Sequence, residues 1–136
     1  MSGDRDLDTL LRTMSPELQD GVVVFCTLNA GDAKAAMLSP LMLFRECEGD
    51  TLIVRREDAE RAGLAYRFAS RLITLTVHSA LDAVGFLAAV TTALAAAGIS
   101  VNAVSAFHHD HLFVPEAQAE QAMRVLQEMS RSAAGP

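Results

Sequence analysis

The amino-acid sequence predicts an α+β fold, antiparallel strands with helices on one face, and three observations predict it. Residues 72–78 and 99–107 alternate apolar and polar side chains, the period of a strand with one buried face. Residues 82–97 and 116–131 are long enough for helices, the first closed by Gly98 and the second carrying Ala119, Ala122, Met123, Leu126 and Met129 on one stripe. The first half runs strand, loop, strand, strand, helix, and the second runs strand, helix, strand, strand, helix, a repeat at about 50 residues seen in element order rather than in the letters. Two helices over one face of an antiparallel sheet make the ferredoxin-like βαββαβ arrangement, expected here twice with the first unit degenerate. The expected division is residues 1–68 and 69–136.

Each element has a local reason. Leu7, Leu10, Leu11 and Met14 fall at i, i+3, i+4, i+7, a short amphipathic helix that Ser15-Pro16 interrupts before Gln19-Asp20-Gly21 turns the chain. Residues 22–28 form a β-branched and aromatic run, the pattern of a strand covered on both faces. Residues 29–40 read as loop with one helical turn at most. Residues 41–47 and 51–54 flank Glu48-Gly49-Asp50 as a hairpin, and 55–63 follow as a short charged helix ended by Gly63. Residues 108–110 turn the chain into a short strand over 111–114, after which Pro115 launches the last helix.

Length and composition narrow the function. At 136 residues the chain is one domain or two very small ones, which excludes a large multi-site enzyme. Its 51% hydrophobic and 21% charged content is an ordinary globular balance. The net charge is −6 and neither half is basic, so no nucleic-acid partner is expected. Residues 83–109 carry no formal charge and are long enough to span a bilayer, but small and polar residues dominate and no Lys or Arg flanks them closely. A buried helix and strand explain the same letters, so no membrane partner is expected. The N-terminal stretch lacks a basic region, an apolar core and a cleavage site, and Cys26 and Cys47 sit in apolar stretches without a spaced framework. Reduced thiols and a cytoplasmic location are the expectation. Neither G-x-G-x-x-G nor a Walker motif occurs, and no cofactor is expected.

The run from Leu75 to Pro115, LTVHSALDAVGFLAAVTTALAAAGISVNAVSAFHHDHLFVP, resembles the core of an ACT domain, the small regulatory module that senses amino acids in many metabolic enzymes. The chain as a whole is similar to small stand-alone tandem-ACT proteins of unassigned function, through the acidic hairpin over 46–54, the segment over 77–85 and the HDH-x-FVP stretch over 109–115. ACT domains commonly carry Pro-Gly in the loop between the first strand and first helix, where Val84-Gly85 stands here. Asp82 matches a polar position, often Asn, three before the glycine, and Asn102 falls where the family often has Asn in its second strand. The resemblance implies a non-enzymatic regulatory or sensor protein that binds a small amino-acid-type ligand at a unit or subunit interface. It places the site at His78, Ser79, Leu81, Asp82, Ala83, Val84, Gly85 and Asn102. With the polar strand face that needs a cover, it also implies a homodimer.

Chemistry supports that loop independently. The first turn of a helix after Ala83 has backbone N–H groups with no intrahelical partner and a partial positive charge, a ready carboxylate site. Gly85 lets a ligand approach the backbone, Asp82 can accept from an ammonium, and Asn102 and His78 offer neutral donors and acceptors. The plainer alternative is that Asp82 is an N-cap satisfying those N–H groups itself. Two other functions stand beside this one. A structural or adaptor module would pair its open sheet with a partner protein. A metal-binding protein would use His109 and His111, which share one side of a strand, with His78 or Asp110 as a third ligand.

Overall fold

The computed structural model describes residues 6–77 and 80–134. Their elements are α1 (Leu7–Thr13), β1 (Pro16–Leu18), β2 (Val23–Leu28), α2 (Lys34–Met37), β3 (Met42–Glu46), β4 (Gly49–Arg55), α3 (Arg56–Arg61), β5 (Arg67–Leu75), α4 (Phe86–Ala96), β6 (Asn102–Ser105), β7 (Asp110–Pro115) and α5 (Ala119–Ala134), with a 3-10 turn over Glu116–Gln118. The class is the expected mixed α+β one. The chain forms two compact units: a central unit, Gly21–Ser70, and a terminal unit made of Met1–Asp20 with Arg71–Pro136. The boundary falls inside β5. The division at residue 68 drawn from element order follows the chain, whereas in space α1 and β1 belong with the second half.

In the central unit β3 is the edge strand, followed by β4, β2 and the start of β5. The β3–β4 hairpin sets Leu43 opposite Leu52 and Arg45 opposite Asp50, and β4 in turn sets Leu52 opposite Cys26 and Asp50 opposite Leu28. One face of these strands buries Val24, Cys26, Leu28, Leu52 and Val54 with Ala59 of α3 and Leu38 beyond α2. The β2–β5 pairing shifts between Val23 and Phe25, an irregularity the sequence pattern does not announce.

In the terminal unit β1 pairs antiparallel with the end of β5, Glu17 opposite Thr74, while β7 lies beside β5 and β6 beyond it. β1 has no counterpart in the sequence reading, because three residues starting with Pro are too few to show alternation. Helix α4 puts Phe86, Val90 and Leu94 on one stripe at i, i+4, i+8, and its alanines supply intrinsic helicity. That stripe packs with Leu10 and Met14 of the α1 segment, Ile73, Leu75, Leu112, Val114 and Leu126. Each such fully buried aliphatic side chain contributes about 1.5–3 kcal/mol. The helix ends as expected: Ile99 N–H reaches the Leu94 carbonyl at 3.0 Å and Gly98 adopts φ +75°, a left-handed close. Its start differs from expectation, at Phe86 rather than residue 82. Gly85 sits at φ +93° as the cap residue, a conformation that no ordinary helix turn passes through.

Candidate functional site

The segment between β5 and α4 is built by two constraints. Ala80 is buried and its carbonyl accepts from Ala83 N–H at 3.0 Å, closing a tight turn that leaves Asp82 exposed. Gly85 then reverses into the left-handed region. A Cβ there would meet only Leu7 Cδ2, at 3.8 Å, an ordinary contact, so backbone conformation rather than space demands glycine. The helix that follows hydrogen-bonds from Ala89 N–H back to the Gly85 carbonyl, and the cap residue has no side chain to offer the first-turn amides. Asp82 is therefore not at the cap position.

These amides stand beside a cleft of about 60 Å³ lined by Ala80, Leu81, Ala83, Phe86, Leu87, Ser105, Ala106 and Asp110. At about 30 Å³ of liquid volume each, that is room for roughly two waters. Its polar wall is Asp110, 6% exposed, whose Oδ1 accepts from the Ser105 hydroxyl at 2.6 Å. Of its lining residues Leu81 is 68% exposed, and Val84 and Phe107, next in sequence to the lining Ala83 and Ala106, are 86% and 75% exposed. The sequence reading missed Ser105 and Asp110 as cleft residues. The signal was present in strand phase, since Asp110 is in step with the buried Leu112 and Val114.

The structure thus brings Leu81 and Ala83 together in the cleft wall, with Asp82, Val84 and Gly85 on the same loop. Asn102 lies elsewhere. It is exposed, opposite Phe113 in the β6–β7 register, and three residues from Ser105, so the two side chains leave opposite faces of the strand. His78 and Ser79 lie outside the described residues. His109 and His111 have ring centroids 6.4 Å apart, and His111 Nδ1 is 3.0 Å from the Thr74 hydroxyl. Among the described residues no group of three His, Cys, Asp or Glu side chains is arranged to hold a metal ion. Burial holds the His111 imidazole below its ordinary pKa, the nearby His109 adds to that, and Asp110 opposes it. Among the described residues no helix is long and apolar enough to cross a membrane.

Two family models, each described as an ACT domain, match in tandem over residues 2–71 and 67–128, and the chain belongs to the ACT-domain family. Domains of this family are typically ligand-binding regulatory modules rather than catalysts. Among solved structures, a protein of unknown function from Vibrio cholerae, described as a possible transport protein, is 47% identical with a TM-score of 0.84 over 91% of this chain and 95% of its own. A protein from Agrobacterium tumefaciens is 18% identical, with a TM-score of 0.73 over 86% of this chain and 89% of its own. The regulatory subunit of aspartate kinase from Thermus flavus shares the fold at 11% identity, with a TM-score of 0.62 over 95% of this chain and 99% of its own. No curated protein matches the chain.

Proposed function

We propose that this protein is a non-enzymatic regulatory module that binds a small amino-acid-type ligand at the loop before α4, with a second copy of the chain completing the site. The observation that supports this most is the meeting of an eleven-residue helix's N-terminus, capped by a residue without a side chain, with the buried Asp110 carboxylate across one cleft. First-turn amides answer a ligand carboxylate, and Asp110 with Asp82 answers its ammonium. The cleft alone is too small for such a ligand, and a second copy would extend it from the exposed Leu81 in its lining, with the exposed Val84 and Phe107 next in sequence to the lining Ala83 and Ala106. Two cysteines outside any disulfide fit a cytoplasmic setting.

A thermal-shift screen over amino acids tests the reading. A ligand at about 1 mM that binds at about 10 µM raises stability by roughly 2.7 kcal/mol and Tm by several degrees. Val84→Asp sets a negative charge on the exposed loop and is expected to weaken that ligand at least about tenfold, near 1.4 kcal/mol. A panel in which divalent metals move Tm and no amino acid does would overturn it. A second reading, an adaptor that pairs through its sheet edge, rests on β3, the edge strand of the central unit, where Leu43 is 41% and Phe44 63% exposed. Silence across the panel with a partner protected along β3 in hydrogen exchange would favour it.

A further inference from the structure

Within the central unit β2 and β5 stop pairing short of the end of β2. Two steps along β2, Val23 to Phe25, match three along β5, Ser70 to Arg67, so β5 carries a bulge, and inside it Phe68 adopts φ +58°. A bulky side chain rarely takes that conformation, and here it sets the Phe68 ring edge-on to Phe25, centroids 5.8 Å apart. β5 begins at Arg67, opposite Phe25, and among the described residues no strand continues the pairing along that side of β2. Backbone phase defines what stands there. Arg56, directly after β4, donates its N–H to the Val22 carbonyl at 3.0 Å, so Val22, Val24 and Cys26 bond toward β4 while Val23, Phe25 and Thr27 turn to the β5 side. Thr27 therefore presents its N–H and C=O to a notch of about 490 Å³, lined with it by Phe25, Cys26, Thr51, Ala65, Tyr66 and Arg67. That volume is within the range of small-molecule sites. The notch is separate from a cleft of about 780 Å³ between the loop after β2 and the β3–β4 hairpin, which Arg45 and Asp50 line.

We propose that this notch binds an acylated amino acid with a free carboxylate and an apolar side chain, the chemistry shared by N-acylated amino acids and peptide C-termini. The ligand adds one residue of strand to β2: its amide N–H donates to the Thr27 carbonyl, and its carboxylate accepts from Thr27 N–H and pairs with Arg67. Phe25 and Tyr66 supply the apolar wall for its side chain. Charge selects the acylated form over a free amino acid. Of these lining residues Arg67 alone carries a formal charge. The carboxylates that touch the lining, Glu60 and Glu46, accept from the Tyr66 and Thr51 hydroxyls, and neither lines the notch. A carboxylate is answered there and an ammonium is not. The site lies on a strand edge, is independent of the loop before α4, and takes a ligand of different charge.

Site-resolved amide NMR of the full chain tests it, with N-acetylphenylalanine and N-acetylleucine as probes at up to about 10 mM, the concentration that detects Kd values in the millimolar range. The expected result is a saturable shift at the Thr27, Tyr66 and Arg67 amides with at least one of them. Arg67→Gln removes the guanidinium from an exposed position, and Ala65→Glu, also exposed, sets a negative charge in the lining. Each is expected to weaken that response about tenfold or more. N-acetylphenylalanine amide, which lacks the carboxylate, and free phenylalanine, which carries an ammonium, are expected to bind about tenfold or more weakly than N-acetylphenylalanine. Equal or tighter binding of N-acetyl-Ala-Ala-Phe would support the proposal with a peptide terminus as the source, and weaker binding would support it with an N-acylated amino acid. No saturable shift at these amides with either probe, a shift indifferent to Arg67→Gln, or equal binding of free phenylalanine would overturn it. Shifts of these probes confined to residues 81–87 would also overturn it and leave the loop reading standing.

Discussion

Both units leave a strand through a left-handed glycine, Gly31 at φ +74° after β2 and Gly85 at φ +93° after β5, and then diverge. In the terminal unit the chain enters an eleven-residue helix that buries Phe86, Val90 and Leu94. In the central unit it makes a four-residue helix that buries only Ala35. The consequence is chemical as well as structural. A helix of three turns aligns enough peptide dipoles to present backbone donors to an anion, and a single turn does not. Where the central unit lacks that device, fixed charges on strands, Arg45 and Asp50, stand at its cleft instead. The two units thus differ in what they set beside their clefts, a long helix's first turn in one and strand-borne charges in the other.

The largest test of this contrast is in the cores. Leu94 is completely buried on the long helix, so Leu94→Ala is expected to cost about 2–5 kcal/mol in denaturant unfolding. Leu38, 8% exposed just after the single-turn helix, has less around it to lose, and Leu38→Ala is expected to cost about 2 kcal/mol. A larger loss at Leu38 would break the comparison. Next in size is the cleft wall. Ser105→Ala strips Asp110 of its 2.6 Å hydroxyl partner and is expected to destabilise by about 1–3 kcal/mol, as loss of a bond to a charged group does. No change in the unfolding midpoint would mean Asp110 does not depend on Ser105.

Gly85→Ala comes third. A side chain at φ +93° is strained irrespective of the free space around it, and about 1–2 kcal/mol is expected, read from the same unfolding curves. A stabilising effect would show that the loop relaxes into an ordinary helix start at residue 82. The smallest effect is that of pH. His111 has a lower affinity for a proton in the folded chain than its ordinary value near 6.5, so the unfolded chain binds the proton more readily. Its contribution is complete above about pH 6.5 and is lost as pH falls through that value toward the lower folded one. His111→Gln is expected to flatten the stability profile below pH 6.5 and to leave the slope near pH 8, where His111 binds no proton in either state, unchanged. An unchanged profile would remove His111 as the source.

Legibility in the sequence followed from how many residues share a physical cause. Helix α5 and strand β7 were readable because their burial repeats over several positions: Ala119, Ala122 and Leu126 in one, Leu112 and Val114 in the other. The tandem of ACT units was readable through element order and the stretch over 75–115. The start of α4 was not, because Asp82 has the composition of a cap and nothing in residues 82–85 reveals that Gly85 takes a left-handed turn. The placement of α1 with the second half was also hidden. A four-residue apolar stripe announces a buried face but not the partner, here α5, where the Ser130 hydroxyl reaches the Arg12 carbonyl at 3.0 Å. Asn102 illustrates the same gap at the site, since nearness to a helix end in sequence does not say which face of β6 it occupies. Arg45 and Asp50 became a pair only once register was known, because hairpin partners are read from the turn and not from their letters.

The central claim is that the amides opening α4 receive a ligand's carboxylate. A crystal structure of the chain grown with the amino acid that raises its Tm most tests this directly. The account predicts a carboxylate at hydrogen-bond distance, about 2.7–3.2 Å, from first-turn N–H groups after Gly85, with the ammonium toward Asp110. Density for that amino acid elsewhere, with the α4 amides facing only solvent or protein, would contradict it.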